Sequence, residues 1–213
     1  MAVITISREY YALQSATAKI IADQLGYHFV TKDTLENVLR QYGKVHLQEL
    51  YDAPNFWASA EPSNIELISL LNQTIQGFAK QGNVLILGRG GYLLLQDFAD
   101  VLNIRIKAPF DVRVQALMAR ESIEKDAAEA AVKQNDIARA GFVKDFYEQD
   151  FYSTRSFRML LDTGIITPET AVEWIVHAGQ ALETQSFENT KTTQDIELDV
   201  VLERTIQQVL KFS

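Results

Sequence analysis

The 213-residue sequence contains no cysteine, which removes disulfides, thiolate metal sites and cysteine nucleophiles from consideration. It has only 4 prolines and 10 glycines, too few for a collagen-like or linker-type chain, and none of the glycines precedes Gly26. No apolar run approaches the roughly 18 to 20 residues of a membrane span, so no membrane partner is expected. Cations are in deficit, 20 Lys and Arg against 28 Asp and Glu for a net charge of -8. That balance argues against a nucleic-acid partner, because phosphate affinity rests on clustered cations. Met1-Ala2-Val3-Ile4-Thr5-Ile6 lacks a basic region and a long apolar stretch. A signal peptide is therefore not expected, and the cytoplasm is the expected location. His28, His46 and His177 stand far apart without ligand spacing, and no metal site is expected from them.

The patterning that is present alternates strands with helices. Ala2 to Ser7 reads as a buried strand, and residues 12 to 25 as a helix ended by Gly26. Tyr27 to Val30 suits a short strand, and Thr31-Lys32-Asp33 a helix start. Residues 43 to 61, with Gly43, Pro54, Phe56 and Trp57, form the least regular stretch. A helix opens at Pro62-Ser63 and runs to Gly82, with a broad apolar face suited to packing on a sheet. Asn83 to Leu87 and Val101 to Lys107 read as strands buried on both faces. Helices follow over about 110–121 and 124–149, then a short strand at Arg158 to Leu161. Thr167-Pro168 opens a further helix to about Leu182. Doubly buried strands between helices predict a parallel sheet in a three-layer α/β/α fold. The expected domain spans 1–182, and 183–213 is expected to be a polar linker and an amphipathic helical tail.

Ligands of open α/β sheets bind at the carboxyl ends of the strands. Three such ends carry informative residues: Ser7-Arg8-Glu9-Tyr10-Tyr11-Ala12-Leu13-Gln14-Ser15, Thr31-Lys32-Asp33, and Leu87-Gly88-Arg89-Gly90-Gly91. With Ala108-Pro109, Asp136-x-x-Arg139 and Leu161-Asp162-Thr163 in the same order, residues 1 to 180 resemble the cytidylate-kinase-like family of P-loop proteins. The resemblance implies a nucleoside monophosphate kinase fold, in which the terminal phosphoryl group of ATP passes to a nucleotide such as CMP with Mg²⁺ present. It places Arg89, flanked by Gly88 and Gly90, beside the acceptor nucleotide, and Lys32 near it. Arg113 and Arg120 fall seven apart on one helix face as further candidates. Asp136 and Arg139 resemble the lid pair that neutralises the moving phosphoryl group.

The departure from the family lies in the first loop. Relatives carry a Gly-Ser-Gly-Gly-Arg type run where this chain has Tyr11-Ala12-Leu13-Gln14-Ser15. A phosphate cradle needs glycine so that amides can approach the anion without a Cβ in the way. Arg8, Tyr11, Gln14 and Ser15 thus belong either to a degenerate phosphate loop or to a plain strand–helix connection with buried tyrosines. Gly90 stands where cytidylate kinases usually have aspartate, which argues against cytosine specificity. Two functions remain: a nucleotide-binding or regulatory module with lost or weak ATP turnover, or an active kinase using ATP and Mg²⁺. Asp97, Asp100 and Asp111 read as cap or surface residues. The tail, with Ile196, Val200, Val201, Ile206, Val209 and Leu210, is too apolar to stay solvated. It is expected to dock on its own chain or, as the favoured case, in a homodimer interface.

Overall fold

The computed structural model describes residues 1–41 and 62–211. The irregular stretch 43–61, with His46, therefore lies outside the described residues. Five strands form one parallel sheet in the order β2-β3-β1-β4-β5. They are β1 (Val3–Arg8), β2 (His28–Val30), β3 (Val84–Leu87), β4 (Val101–Lys107) and β5 (Met159–Asp162). The described helices are α1 (Ser15–Leu25), α2 (Lys32–Gln41), α3 (Pro62–Gln81), α4 (Gly91–Leu94), α5 (Phe110–Glu121), α6 (Lys125–Tyr147), α7 (Pro168–Glu183) and α8 (Val200–Lys211). None of the described helices is long and apolar enough to cross a membrane.

Alternation along β1 creates the two cores. Ile4 and Ile6 face α1 and α7, joining Ile21, Leu85, Ile104 and Ile175. Val3 faces the other way, into the core of α2, α3 and α8. Parallel pairing sets Val3 beside Val84 on one side and Val101 on the other, so β1 lies centrally with its carboxyl end between two neighbours. The helix boundaries follow local chemistry. Gly26, at φ 68°, closes α1, its amide donating to the Asp23 carbonyl and the Tyr27 amide to the Ala22 carbonyl. Thr167 caps α7 by accepting from the Thr170 amide at 3.2 Å, with Pro168 at the first helical position.

Two local expectations are corrected. Helix α1 begins at Ser15, three residues later than the periodicity indicates, because Ala12 and Leu13 are held in an extended loop by bonds to their carbonyls. Asp100 is neither a cap nor a surface residue. It is 3% exposed and anchors the tail, its carboxylate accepting from the Thr193 amide at 2.8 Å and the Thr193 hydroxyl at 2.5 Å.

The tail is not one continuous helix. A 3₁₀ turn over Thr193–Asp195 is closed by a capping box between Thr192 and Asp195, and α8 follows five residues later. Ile196, Leu202, Ile206 and Val209 are buried in the same core as α2 and α3. A Cβ on Gly77 of α3 would overlap the Ile206 side chain, so glycine there permits the close approach of α8. Val200 and Val201 stay outside, 58% and 60% exposed. The need for burial that favoured a second subunit is thus met within the chain, for most of the tail's apolar face. Replacing the fully buried Ile206 by alanine should leave a cavity and cost about 3 kcal/mol, measured as a lower urea midpoint at unchanged slope.

Candidate functional site

The polar site begins on the sheet itself. On the face that bears α4, Thr5 and Ser7 of β1 oppose Asn103 and Arg105 of β4. Thr5 Oγ1 donates to Asn103 Oδ1 at 2.5 Å, and Arg105 Nη1 donates to Ser7 Oγ at 2.9 Å. Arg105 is 4% exposed and lies 3.9 Å over the Phe151 ring, so burial lowers its guanidinium pKa. Glu9, the next residue of the β1 edge, accepts from the Ala108 amide at 3.1 Å and lies 3.9 Å from Arg105 Nη2. Asn103 and Arg105 are not among the candidates read from the sequence for this site, although their alternation in the Val101–Lys107 strand is visible there, whereas Ser7 and Glu9 lie in the first candidate strand end.

Arg113 is engaged within the protein. It is 6% exposed, its Nε donates to the Ala108 carbonyl at 3.1 Å, and Nη1 reaches Asp136 Oδ2 at 2.9 Å. Glu9 Oε2 lies 3.5 Å from its Nε. Asp136 therefore pairs with Arg113 and ties α6 to α5, rather than acting with Arg139 as an isolated pair.

The first loop is fixed by its carbonyls. The Arg8 carbonyl accepts from Arg139 Nη1 at 3.2 Å, the Tyr10 carbonyl from Arg113, and the Ala12 carbonyl from Thr163 Oγ1 at 2.6 Å. Arg8 itself folds back over the loop, Nη1 donating to the Leu13 carbonyl and Nη2 to Ser15 Oγ at 2.9 Å. Tyr11 adopts φ 64°, in the left-handed region that favours glycine, at a strain of about 1 kcal/mol or more. Its hydroxyl donates to Glu121 at 2.7 Å, and desolvation followed by that bond raises its pKa to about 12. Gln14 precedes α1 without a side-chain cap, and no acidic residue occupies the first turn. The positive end of the helix dipole is thus left uncompensated beside Arg8. Arg120 joins this group by donating to Gln14 Oε1 at 3.2 Å. Arg8, Tyr11, Gln14, Ser15 and Arg120 are therefore brought together.

Arg139 lies deepest in this cationic group. Its Nε is buried and has no hydrogen-bond partner among the described residues. Burial, then the charges of Arg8 and Arg89, pull its guanidinium down to about 10 against partial support from Asp136. Arg8 is also lowered, by burial and by Arg120. Arg89 sits in the middle of three successive left-handed residues, Gly88 at φ 79°, Arg89 at φ 56° and Gly90 at φ 74°. Glycine is needed at 90 twice over, since a Cβ would also lie 3.0 Å from the Tyr147 ring. Cations from β1, the β3 turn and α6 thus lie close enough for Arg8 and Arg89 to depress the Arg139 guanidinium. Lys32 pairs with Glu36 on its own helix at 3.6 Å. Among the described residues no three His, Asp or Glu side chains gather as a metal site.

The two kinds of arginine should respond differently to mutation. Arg113→Ala strands two carboxylates and is expected to lower stability by about 3 kcal/mol in urea unfolding. Arg139→Ala removes a guanidinium that burial and neighbouring cations disfavour, and should cost less than Arg113→Ala in the same measurement.

The comparisons agree with this geometry. Residues 3–165 match the model of the cytidylate kinase-like family. The cytidylate kinase of Ignicoccus hospitalis is 28% identical over 176 residues, 82% of this chain and 97% of that relative. The cytidylate kinase of Sulfolobus acidocaldarius is 24% identical over 165 residues, covering 76% and 86% of the two chains. Among solved structures, an uncharacterized protein from Eubacterium ventriosum superposes with a TM-score of 0.68 at 17% identity, over 85% of this chain and 99% of that one. TT1252 from Thermus thermophilus gives 0.51 at 14% identity, over 87% and 98%. With a parallel sheet in the order β2-β3-β1-β4-β5 and a matched span of well over half its length, the chain belongs to the cytidylate kinase-like family.

Proposed function

We propose that this protein binds a nucleotide through the guanidinium groups of Arg8, Arg89 and Arg139, with ATP-driven phosphoryl transfer weak or lost. The observation that carries the reading is the buried Arg139 Nε, a donor without an acceptor, held beside two further cations. A phosphate group supplies both the acceptor and the missing negative charge. The relatives named cytidylate kinase support a nucleotide as the ligand, while Gly90, where such enzymes usually have aspartate, argues against a strict preference for cytosine.

The argument for weak turnover lies in the loop. The Arg8 side chain lies across it, and Tyr11, Ala12 and Leu13 put side chains where a cradle of glycine amides would stand. Mg²⁺ fits poorly as well. The Ser15 hydroxyl faces the Arg8 guanidinium, and the carboxylates of Glu9 and Asp136 are engaged by arginine. A transferring phosphoryl group needs both its metal and its backbone donors. The second reading, an active kinase, draws on Arg120 and Arg139, which reach the loop from α5 and α6 and could stabilise charge during transfer.

Calorimetry with CMP, dCMP, UMP and AMP, each with and without ATP and Mg²⁺, separates these readings. Binding of a monophosphate, weakened at least about tenfold (about 1.4 kcal/mol) by Arg89→Ala and by Arg139→Ala, is the expected result. Turnover above about one per second, the low end of kinase rates, would favour the active enzyme. Affinity should also depend on pH in one direction. Burial and the neighbouring cations lower the Arg139 guanidinium pKa, so any pH dependence contributed by Arg139 should be a loss of monophosphate affinity at strongly alkaline pH and not at acid pH, read by calorimetry across a pH series.

A further inference from the structure

The Gly88-Arg89-Gly90 turn is strained and needs a neighbour that holds it. Residues other than glycine stay in the left-handed region only where their surroundings fix them, and Arg89 is such a residue at φ 56°. The group packed on this turn is the ring of Tyr147, whose Cε2, Cζ and hydroxyl would all lie 3.0 Å from a Cβ at residue 90.

The ring is itself held from two other directions. Its hydroxyl donates to Asn72 Oδ1 on α3 at 2.8 Å. Its edge meets Phe142 of its own helix, with centroids 5.5 Å apart at 80°. Tyr147 is also the last residue of α6, where Glu148 at φ 55° ends the helix, its amide donating to the Lys144 carbonyl and the Gln149 amide to the Val143 carbonyl. The ring therefore has a fixed origin as well as fixed contacts. The same helix carries Arg139 two turns earlier. One side chain thus joins the helix bearing one phosphate-binding arginine to the turn bearing another.

We propose that Tyr147, fixed by Asn72, is a positioning residue that holds the Arg89 turn against α6 and so sets the spacing of the Arg89 and Arg139 guanidinium groups. The proposal rests on the reading of Arg89 and Arg139 as phosphate ligands. It goes beyond that reading by making their geometry depend on an aromatic residue at the end of α6. It also accounts for glycine at 90, since any larger residue there displaces the ring.

The test uses the full chain and two independent readouts. In the ligand-free protein, the ¹⁵Nε heteronuclear NOE of Arg89, assigned by its loss in Arg89→Ala, reports how firmly the side chain is held. Tyr147→Leu should lower it towards that of exposed Arg155 while leaving buried Arg113 unchanged. An unaltered Arg89 value overturns the proposal, whether or not a nucleotide binds. In calorimetry with CMP, Tyr147→Leu should weaken binding about tenfold, and Tyr147→Phe and Asn72→Ala about two- to threefold. Adding Tyr147→Leu to Arg89→Ala should then bring no further loss. Additive losses in that cycle would show that the ring acts independently of Arg89 and would also overturn the proposal. If the wild-type chain binds no monophosphate, the phosphate-site reading fails while the NMR measurement still decides the role of Tyr147. Should Tyr147→Leu fail to fold, Tyr147→Phe and Asn72→Ala carry both readouts.

Discussion

The guanidinium of Arg113 is the point through which the site is assembled. It sits in low-dielectric surroundings, where an unpaired charge is costly, and every donor direction it offers is answered by a different part of the chain. The Ala108 carbonyl fixes the end of β4, the Tyr10 carbonyl fixes the first loop, Asp136 fixes α6, and Glu9 fixes the β1 edge. The cationic pocket depends on this arrangement, because Arg8 and Arg139 take their positions from the loop and the helix that Arg113 ties together. A buried ion pair adds little net stability over a well-packed apolar alternative. Here its consequence is geometric: three segments distant in sequence acquire one fixed relation.

On that frame the protein holds charges that repel. Arg139 is buried next to Arg8 and Arg89, with one nitrogen unanswered, and the adjoining helix terminus has no acidic cap. Under the proposed function an anion would relieve these features together. The glycine-free loop fits that proposal, because its carbonyls are engaged by side-chain donors and guanidinium groups would take the anion-facing role of backbone amides.

Much of the fold was legible in the sequence. Doubly buried strands between helices implied the parallel sheet, and the Gly26 and Thr167-Pro168 signals located two helix ends. What sequence pattern could not show was which arginines share a pocket. Arg89, Arg113 and Arg139 look equivalent as letters, yet Arg113 is sealed inside the structure and Arg139 keeps an orphaned nitrogen. That difference comes from long-range placement, Asp136 and Ala108 reaching Arg113 first, and no local periodicity encodes it. Arg105 was missed because a single cation in an apolar strand reads as an interruption until its stacking on Phe151 and its bond to Ser7 are seen. The start of α1 was misjudged for a similar reason: helical spacing at 12–15 is overridden by side chains that capture the Ala12 and Leu13 carbonyls.

The docking of α8 has a consequence for how the molecule is made. Val3 of β1 shares a core with Ile206 of α8, far along the sequence. The core that α2 and α3 form on that face stays incomplete until α8 has been synthesised, whereas the opposite face can close once α7 has emerged. The protein therefore completes its two halves at different times, and the later closure sets α8 against α2 and α3. Contacts of such long sequence separation slow folding, because the entropy of closing a large loop is lost before the contact forms. A prematurely terminated product would have an intact cationic pocket above an open apolar floor, a form suited to capture by chaperones or proteases and ill suited to persist in solution.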